Sequence, residues 1–371
     1  MRHMKWWGWG EEGISFNHSD KPAFASFVET AIDIDVTKSP AAVPDLASLP
    51  LPPSLAPPEL RACLQAVVGA GNLRDDPVDR VVHAYGKGLR DLVRVRRGDM
   101  GRLPDLVVYP GSETDVVGIV KTALSADAVV IPFGGGTNIS GSLEAPRHEG
   151  RPVISVDMSH MTSVLEIDEV SRIARIQAGA LGPDIERHLN GKGWTLGHFP
   201  DSFNHSTLGG WIATRSSGMQ SDKYGDIADL TRGVRVVTPA GVLATRPVPS
   251  SSTGPSVREM ILGSEGRLGI ITDNCSERME VLAERLKLRD LFDPIVVSAA
   301  VQASKKDGTT RIFDAALAGA NCAPDEALFV DNQEVNLVVP KKMGIKTYFH
   351  SDRENDIDAL RAVLTHDGIK L

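Results

Sequence analysis

The sequence predicts an α+β domain followed by a shorter α/β segment, and two observations lead to that prediction. Between about residues 105 and 272, short runs rich in β-branched residues outnumber the helical patterns between them. After Asp273, helical and strand patterns alternate, which is typical of a parallel sheet covered by helices. A chain of 371 residues is long enough to hold both parts.

The α+β region begins with a predicted βαβ unit. Its first strand is expected at 106–109, and its helix begins after Ser112, with Asp115 three residues later as the partner in a capping box. A second strand follows at 128–132 and ends in glycines. The elements predicted after it are the strands VISVDMS, SVLEID and RIARIQAG, a helix that Pro183 opens and Gly191 closes, and a hairpin that turns at Pro239, Ala240 and Gly241.

The segments on either side of this region have a different character. The first 37 residues are weakly periodic and carry three tryptophans, so we expect them to drape over a larger body. Seven prolines between Pro40 and Pro58 predict an extended connector, because proline fixes φ and removes a backbone donor. After Asp273 we expect a helix at 275–287, a strand at 295–298, a helix at 310–320, a strand at 327–331, a helix, a strand at 345–349 and a last helix.

Composition restricts the class of partner. The net charge of -8 argues against binding to nucleic acid or to an anionic membrane surface, since both need a basic face. Three scattered cysteines without paired spacing predict a reducing compartment, and we expect the protein in the cytoplasm. No apolar run approaches the roughly 18 residues of a membrane helix, and the first residues lack the apolar run of a signal peptide, so no integral membrane segment is expected.

The stretch PFGGGTNISGS at 132–142 is the first candidate binding motif. Glycine permits close backbone approach and positive φ, so that consecutive amide N–H groups can converge on a phosphate, most naturally a diphosphate. A plain glycine-rich turn is the alternative, because glycine motifs often match by chance. Two further runs rich in Gly, Ser and Thr, at 200–230 and 261–272, lie in the same region. Three such loops around one sheet are able to wrap a dinucleotide.

Through these runs, and through RVVHAYGKGLRDLVRVRRG and KWWGWGEEG, residues 1–272 resemble the alkyldihydroxyacetonephosphate (alkylglycerone-phosphate) synthase family of ether-lipid enzymes. That family belongs to the vanillyl-alcohol-oxidase type of FAD proteins. The resemblance implies a PCMH-type FAD-binding domain of two α/β subdomains, non-covalent FAD and a lipid-like substrate. It implies cofactor contacts from Pro132, Phe133, Gly134, Gly135, Gly136, Thr137, Asn138, Asp201, Ser202, Phe203, Asn204, His205, Ser206, Thr207, Thr214, Arg215, Ser216, Ser217, Glu265, Gly266, Arg267, Leu268, Gly269, Ile270 and Ile271.

Four residues in this region have alternative roles. His205 raises the question of covalent flavin attachment, but we expect a polar wall residue. Arg215 either stabilises negative charge near the flavin or forms a structural salt bridge. His83 and Lys87 are expected to be packing and surface residues rather than catalytic ones.

The segment 273–371 resembles the C-terminal half of a haloacid-dehalogenase-type (HAD) hydrolase. This resemblance implies a partial Rossmann-like α/β fold. The resemblance implies that Lys305 or Lys306 neutralises a phosphorylated nucleophile, that Asp331 holds Mg²⁺ and that the Thr272 hydroxyl binds phosphate. A surface carboxylate is the alternative for Asp331. The family's D-x-D nucleophile motif is not found: Asp157 is the nearest candidate and has no second carboxylate. Lys306 and Asn332 also depart from the pattern, where proline and aspartate are usual.

These observations leave three functional hypotheses. The first is a flavoprotein that lacks the cap domain and the catalytic residues of the resembled family after residue 272, and that retains at most a simple redox activity. The second is a HAD-type phosphohydrolase without its usual nucleophile, and the third is a non-catalytic fusion product. We expect an extension and connector at 1–60, an FAD-binding domain at 61–272 and a partial HAD-like segment at 273–371. A homo-oligomer is compatible with this organisation, because a partial sheet exposes an edge that a second chain is able to cover.

Overall fold

The computed structural model describes residues 4–11, 13, 21–38, 43, 45–248, 254–277, 308–331, 333–351 and 356–366. The chain divides into two compact units. The first comprises Met1–Glu186 and Leu196–Arg278, and the second comprises Arg187–Thr195 and Met279–Leu371. No helix in the described part of the chain is long and apolar enough to cross a bilayer.

Local capping sets the starts of several helices. The capping box predicted at Ser112 is confirmed: the Ser112 hydroxyl accepts from the Asp115 N–H at 3.2 Å, and the Asp115 carboxylate accepts from the Ser112 N–H at 3.1 Å. The helices are α1 (Phe24–Ile32), α2 (Pro58–Val68), α3 (Pro77–Val82), α4 (Leu89–Arg96), α5 (Glu113–Ser125), α6 (Gly182–Asn190), α7 (Leu208–Thr214), α8 (Ser221–Tyr224), α9 (Ile227–Leu230), α10 (Val257–Ile261), α11 (Arg311–Ala320), α12 (Val338–Lys342) and α13 (Ile357–His366).

A four-stranded sheet contains the predicted βαβ unit. Its strands are β1 (Leu73–Arg74), β2 (Leu106–Val108), β3 (Val129–Phe133) and β4 (Val153–Asp157), in the order β1-β2-β4-β3. β4 pairs in parallel with both β2 and β3, while β1 is antiparallel to β2. β2 and β4 are buried along their whole length, as expected for parallel strands covered on both faces. β3 runs directly into the three glycines.

The second sheet has five antiparallel strands. They are β5 (Val164–Asp168), β6 (Ile173–Gln177), β7 (Thr231–Thr238), β8 (Gly241–Ala244) and β9 (Ile270–Glu277), in the order β5-β6-β9-β7-β8. The hairpin predicted at Pro239–Gly241 is confirmed by the pairing of β7 with β8. The helix predicted from residue 275 is wrong at its first three residues, because β9 pairs with both β6 and β7 as far as Ser276. The rest of that predicted helix lies outside the described residues.

Polar contacts join α5 to the second sheet. Arg235 on β7 forms two hydrogen bonds with the Glu113 carboxylate, at 2.9 and 2.6 Å. Thr272 on β9 is fully buried, and its hydroxyl donates to Glu113 Oε2 at 2.9 Å. The phosphate-binding role implied for Thr272 is therefore wrong, because its hydroxyl lies inside the first unit and is used there.

The proline-rich connector lies against the first unit. The buried Arg80 donates to the carbonyl oxygens of Pro52 and Pro104, at 2.9 and 2.8 Å. After a 3-10 turn at Leu46–Ser48, the described residues of the connector belong to no helix or strand until α2 begins at Pro58. Trp6 and Trp7 pack against a buried cluster, which agrees with the expectation that the N-terminal residues drape over a larger body. The cluster consists of Val81, Ala84, Tyr85, Val95, Met100 and Leu103.

The described part of the second unit includes a two-stranded parallel sheet. Its strands are β10 (Leu328–Asp331) and β11 (Lys346–Phe349), paired so that Leu328 faces Lys346. Phe313 on α11 contacts Phe329 on β10 edge to face, with ring centroids 5.2 Å apart. The strands predicted at 327–331 and 345–349 and the helix at 310–320 are confirmed. The strand predicted at 295–298, and Lys305, Lys306 and Asn332, lie outside the described residues.

Candidate functional site

A cavity of about 710 Å³ lies in the first unit, where three segments meet. One follows β3, one runs from Asp201 through α7 to Ser216, and one leads into β9. The structure thus brings together residues that are more than 130 positions apart in the chain. The predicted site residues that line the cavity are Pro132, Phe133, Gly134, Gly135, Gly136, Thr137, Asn138, Asp201, Ser202, Ser206, Thr207, Thr214, Ser216, Glu265, Gly266, Gly269, Ile270 and Ile271.

The glycines after β3 are required by contact between two loops. A Cβ atom at Gly135 would lie 1.7 Å from the backbone oxygen of His205, and one at Gly134 would lie 2.4 Å from the Thr207 hydroxyl oxygen. Gly136 has a φ of +67°, a conformation that residues with a side chain seldom adopt. Our sequence interpretation assigned the glycines to close approach of a ligand. In the structure, Gly134 and Gly135 allow one wall of the cavity to approach the other.

The same loop presents a run of backbone donors beside the cavity. The N–H groups of Gly135, Gly136, Thr137 and Asn138 donate no hydrogen bond to any described residue, and all four residues line the cavity. The Asn138 side chain holds the loop in shape by accepting from the N–H groups of Gly141 and Ser142, at 2.9 and 3.1 Å. Consecutive unsatisfied amides of this kind form an anion-binding concavity.

The hydroxyl groups of the second loop are engaged within the protein. Ser206 Oγ accepts from the Trp211 indole N–H at 2.6 Å, and Thr214 Oγ1 donates to the Gly210 carbonyl at 2.9 Å. Thr207 Oγ1 accepts from the Gly210 N–H at 3.3 Å and caps α7. Ser206, Thr207 and Thr214 therefore shape the cavity wall, whereas the amides of 135–138 are available as donors.

The structure places several predicted contact residues outside the cavity lining. The Phe203 ring packs 5.0 Å from Phe199 and is stacked 6.2 Å from Trp211. Arg215 forms a salt bridge with Glu259 at 3.0 Å, which agrees with the structural alternative for its role. The predicted residues that do not line the cavity are Phe203, Asn204, His205, Arg215, Ser217, Arg267 and Leu268.

Other lining residues were missed by the sequence interpretation. Trp9 lies in the KWWGWGEEG stretch that contributed to the resemblance, but it was not assigned to the site, because it precedes the glycines by more than 120 residues in a segment without periodicity. The GGW sequence at 209–211 was read only as part of a polar loop. Ile139, Ser140 and Ser142 also line the cavity and lie within the candidate motif at 132–142. The further lining residues that were not assigned as cofactor contacts are Trp9, Leu143, Met158, Ala178, Gly209, Gly210, Trp211 and Ala213.

The residues of the cavity fit a dinucleotide. Among the described lining residues, charge is confined to the carboxylates of Asp201 and Glu265, and Glu265 accepts from the Ser140 hydroxyl at 2.9 Å. Because that lining includes no Lys or Arg, an anionic phosphate would be met by neutral donors, among them the amides of 135–138. The rings of Trp9, Phe133 and Trp211 supply aromatic surface for planar ligand groups.

His198 lies behind this wall and is fully buried. Its Nε2 is 2.9 Å from the Ser216 hydroxyl oxygen, and its ring contacts Trp211. Burial lowers the pKa of His198 from 6.5 to about 4, against a weaker opposing effect of Asp226. The imidazole is therefore neutral at neutral pH in the folded protein.

We predict that the folded protein loses stability at low pH because His198 binds a proton more readily in the unfolded chain. Its folded pKa lies below its unfolded pKa, so protons bind preferentially to the unfolded chain and stability falls as pH drops from 6.5 towards 4. Lowering the pH from 7 to 5 should remove about 2 kcal/mol of unfolding free energy through this group. Urea denaturation of wild type and His198→Gln at both pH values measures the difference. The control is His148→Gln, at an exposed position, which should keep the wild-type pH dependence of stability. If His198→Gln also shows the wild-type pH dependence, protonation of His198 is not the cause of the loss.

Two buried residues lie next to this site. His83 Nε2 is 2.9 Å from Asp157 Oδ2, and the His83 ring contacts Phe133, with centroids 4.2 Å apart. His83 is thus a packing residue, as expected. The expectation that Lys87 is a surface residue is wrong: it is 6% exposed, and its Nζ donates to the Lys5 carbonyl at 2.7 Å.

Asp331 lies at the end of β10 in the second unit. It is 7% exposed, so the surface alternative for this carboxylate is wrong. Its Oδ1 accepts from the Gln333 N–H and from the Asn336 side-chain amide, both at 2.9 Å. The described residues contain no group of three or more His, Cys, Asp or Glu side chains arranged to hold a metal ion.

Comparison with known proteins gives two family matches. Residues 104–245 match the FAD binding domain family, and residues 256–349 match the haloacid dehalogenase-like hydrolase family. The second match begins within the first unit, because residues 257–277 form α10 and β9 there.

Individual relatives give a consistent result. The chain is 48% identical over 216 residues to the alkyldihydroxyacetonephosphate synthase of Dictyostelium discoideum, which covers 58% of this chain and 35% of that protein. It is 38% identical over 291 residues to the Trypanosoma brucei brucei enzyme, covering 74% and 47%. It is also 30% identical to glycolate oxidase subunit GlcD of Bacillus subtilis, covering 58% and 43%.

A solved structure of an alkyldihydroxyacetonephosphate synthase superposes with a TM-score of 0.67 at 38% identity. The match covers 74% of this chain and 53% of that one. The predicted PCMH-type FAD-binding fold is thereby confirmed. The chain spans about a third to a half of the length of the curated relatives that it matches.

Proposed function

We propose that this chain, a relative of the alkyldihydroxyacetonephosphate synthases with a PCMH-type FAD-binding domain, binds FAD non-covalently in the cavity of its first unit. The observation that carries the proposal is the run of four available backbone N–H groups at 135–138 beside that cavity. These amides would hold the diphosphate, since they are consecutive and donate to no described residue. Phe133 and Trp211 would contact the planar rings of the cofactor.

The lining supports non-covalent binding. Covalent attachment needs a nucleophilic side chain next to the flavin. Among the described lining residues there is no His, Cys or Tyr, and His205 lies outside the lining. We therefore propose that His205 contributes its backbone carbonyl to the contact with Gly135 and is not a site of flavin attachment.

The proposed chemistry is a simple redox reaction on a small, lipid-like substrate. FAD, when bound, supplies the capacity to accept two electrons. The chain's own contribution is to bind the cofactor, to exclude water with its aromatic and apolar walls, and to offer Asp201 and Glu265 as groups able to exchange a proton. Synthesis of alkyldihydroxyacetonephosphate, which the relatives' name denotes, is not part of this proposal.

We propose the part of the second unit after Arg278 as the partial HAD-like segment. The boundary at residue 273 that the sequence suggested would divide β9, which belongs to the first unit. A phosphohydrolase activity is the weaker alternative, because the described residues contain no cluster of three or more side chains able to hold a metal ion, and Asp331 Oδ1 already accepts from Gln333 and Asn336. A third candidate is a non-catalytic binding module. Cytoplasmic location and a homo-oligomer remain proposals, the former supported by the free thiols of Cys63 and Cys322.

The proposal predicts a yellow protein. The purified chain should show a flavin absorption spectrum at close to one equivalent, and denaturation followed by ultrafiltration should release all of the flavin as FAD. Release supports non-covalent binding, while flavin retained with the denatured chain would mean covalent attachment. A colourless protein that added FAD cannot restore would overturn the proposal. Mg²⁺-dependent release of phosphate from an aryl phosphate would favour the phosphohydrolase instead.

A further inference from the structure

Residues 5–10, called here the N-terminal turn, fold back on themselves and dock against the first unit. The Lys5 N–H donates to the Gly10 carbonyl at 2.8 Å, which closes the turn. Arg96 on α4 donates to the Trp7 carbonyl at 3.1 Å, and its guanidinium lies over the Trp7 ring at 5.6 Å. The turn is therefore held at its middle by α4.

Lys87 holds the turn from the other side and also holds the glycine loop. Its Nζ donates to the Lys5 carbonyl at 2.7 Å, and its backbone N–H donates to the Asn138 carbonyl, also at 2.7 Å. One buried residue thus binds the N-terminal turn through its side chain and the end of the 135–138 amide run through its backbone. Lys87 is 6% exposed, and this burial lowers the pKa of its ammonium group to about 8.

The contacts of Arg96 and Lys87 with the N-terminal turn fix the position of Trp9. Trp9 is the next residue but one after Trp7 and lines the cavity together with Asn138, Ile139 and Leu143. A tryptophan ring in a polar loop is stabilised when another apolar or aromatic group packs against it. In this cavity, a planar heteroaromatic group of a bound ligand would pack against the Trp9 ring. Stacking of an aromatic side chain on a nucleotide base contributes about 1–3 kcal/mol.

We propose that Trp9 stacks on a ring system of the bound dinucleotide, and that Lys87 is the positioning residue that couples the N-terminal turn to the glycine loop. This inference rests on the proposed FAD function. The shared ligand chemistry is a planar heteroaromatic ring, which is supplied either by the isoalloxazine or by the adenine of FAD. FMN contains only the first ring system and ADP only the second.

The test is a titration of the full chain with FAD, FMN and ADP, followed by tryptophan emission and by calorimetry. Trp9→Phe should raise the FAD Kd about threefold and Trp9→Ala about tenfold, and both should lose part of the emission quenching that FAD causes in wild type. Quenching of Trp9 by FMN but not ADP identifies the isoalloxazine as its partner, and the reverse identifies adenine. Trp6→Phe is the matched control, because Trp6 packs on the buried cluster and should leave the FAD Kd and the quenching by FAD unchanged.

Lys87→Met tests the coupling. It keeps the length of the side chain and removes the donor to Lys5, so it should raise the FAD Kd about tenfold and reduce Trp9 quenching. Lys121→Met, at an exposed position on α5, should change neither. If Lys87→Met fails to fold, the Trp9 variants still decide the stacking.

The outcomes separate this inference from the proposed function. If wild type binds FAD and the Trp9 variants match it in Kd and quenching, the inference is overturned and the FAD function stands. If Lys87→Met folds and matches wild type, the coupling role is overturned. If wild type binds none of the three ligands, the proposed function fails and the inference fails with it.

Discussion

A Gly135→Ala protein should bind FAD at least about 100-fold more weakly than wild type. The added Cβ would lie 1.7 Å from the His205 carbonyl oxygen and 3.0 Å from Ser206 Cα. Backbone atoms cannot move aside by a rotamer change, so the glycine loop and the 205–207 segment must separate. That separation displaces the amides of 135–138 from the opposite wall of the cavity. Calorimetric titration with FAD measures the loss.

Gly150→Ala is the matched control. Gly150 is exposed, and a Cβ added there meets no atom within 4 Å, so FAD affinity and thermal stability should stay at wild-type values. Thermal melting of both variants without FAD distinguishes a local effect from unfolding. A folded Gly135→Ala protein with wild-type FAD affinity would show that the cavity does not hold the cofactor.

The sequence allowed much of the first unit to be predicted, because the information for those elements is local. The Ser112 capping box and the turn at Pro239 and Ala240 are each specified by a few adjacent residues. The start of the helix predicted at 275–287 is wrong, because β9 continues beyond residue 273 through pairing with β6 and β7. Those partner strands are distant in sequence, and their pairing overrides the local helical pattern.

The sequence predicted which loops line the cavity, but it predicted only part of the physical reason for the residues found there. The loops around Gly134, Thr207 and Gly266 do line one cavity. The reason for the glycines was not predictable, because the atom that excludes a side chain at Gly135 belongs to His205, 70 residues later. Trp9 was missed for the same reason: its place in the wall depends on the buried contact of Lys87 with the Lys5 carbonyl, which joins residues 82 positions apart in the chain.

An Asp105→Asn protein should lose about 3–5 kcal/mol of unfolding free energy. Asp105 is completely buried and accepts from the Arg102 guanidinium, from the Val153 N–H at 2.7 Å and from the Leu55 N–H at 2.7 Å. Asparagine keeps one acceptor oxygen and turns an NH₂ group towards the remaining donors. The buried Arg102 charge then lacks its counter-ion, and removal of one partner from a buried pair is far more destabilising than the net value of the pair.

Urea denaturation followed by circular dichroism measures this loss, and the melting temperature should fall by about 10 °C. Asp127→Asn is the control, since Asp127 is 86% exposed and its nearest cation is Arg151 at 3.6 Å. A pair so exposed to solvent should change stability by less than about 0.5 kcal/mol. Because Asp105 also binds Leu55 in the proline-rich connector, its replacement should loosen that connector as well as the start of β4. Equal stability of the two variants would mean that the Arg102–Asp105 pair does not hold these segments together.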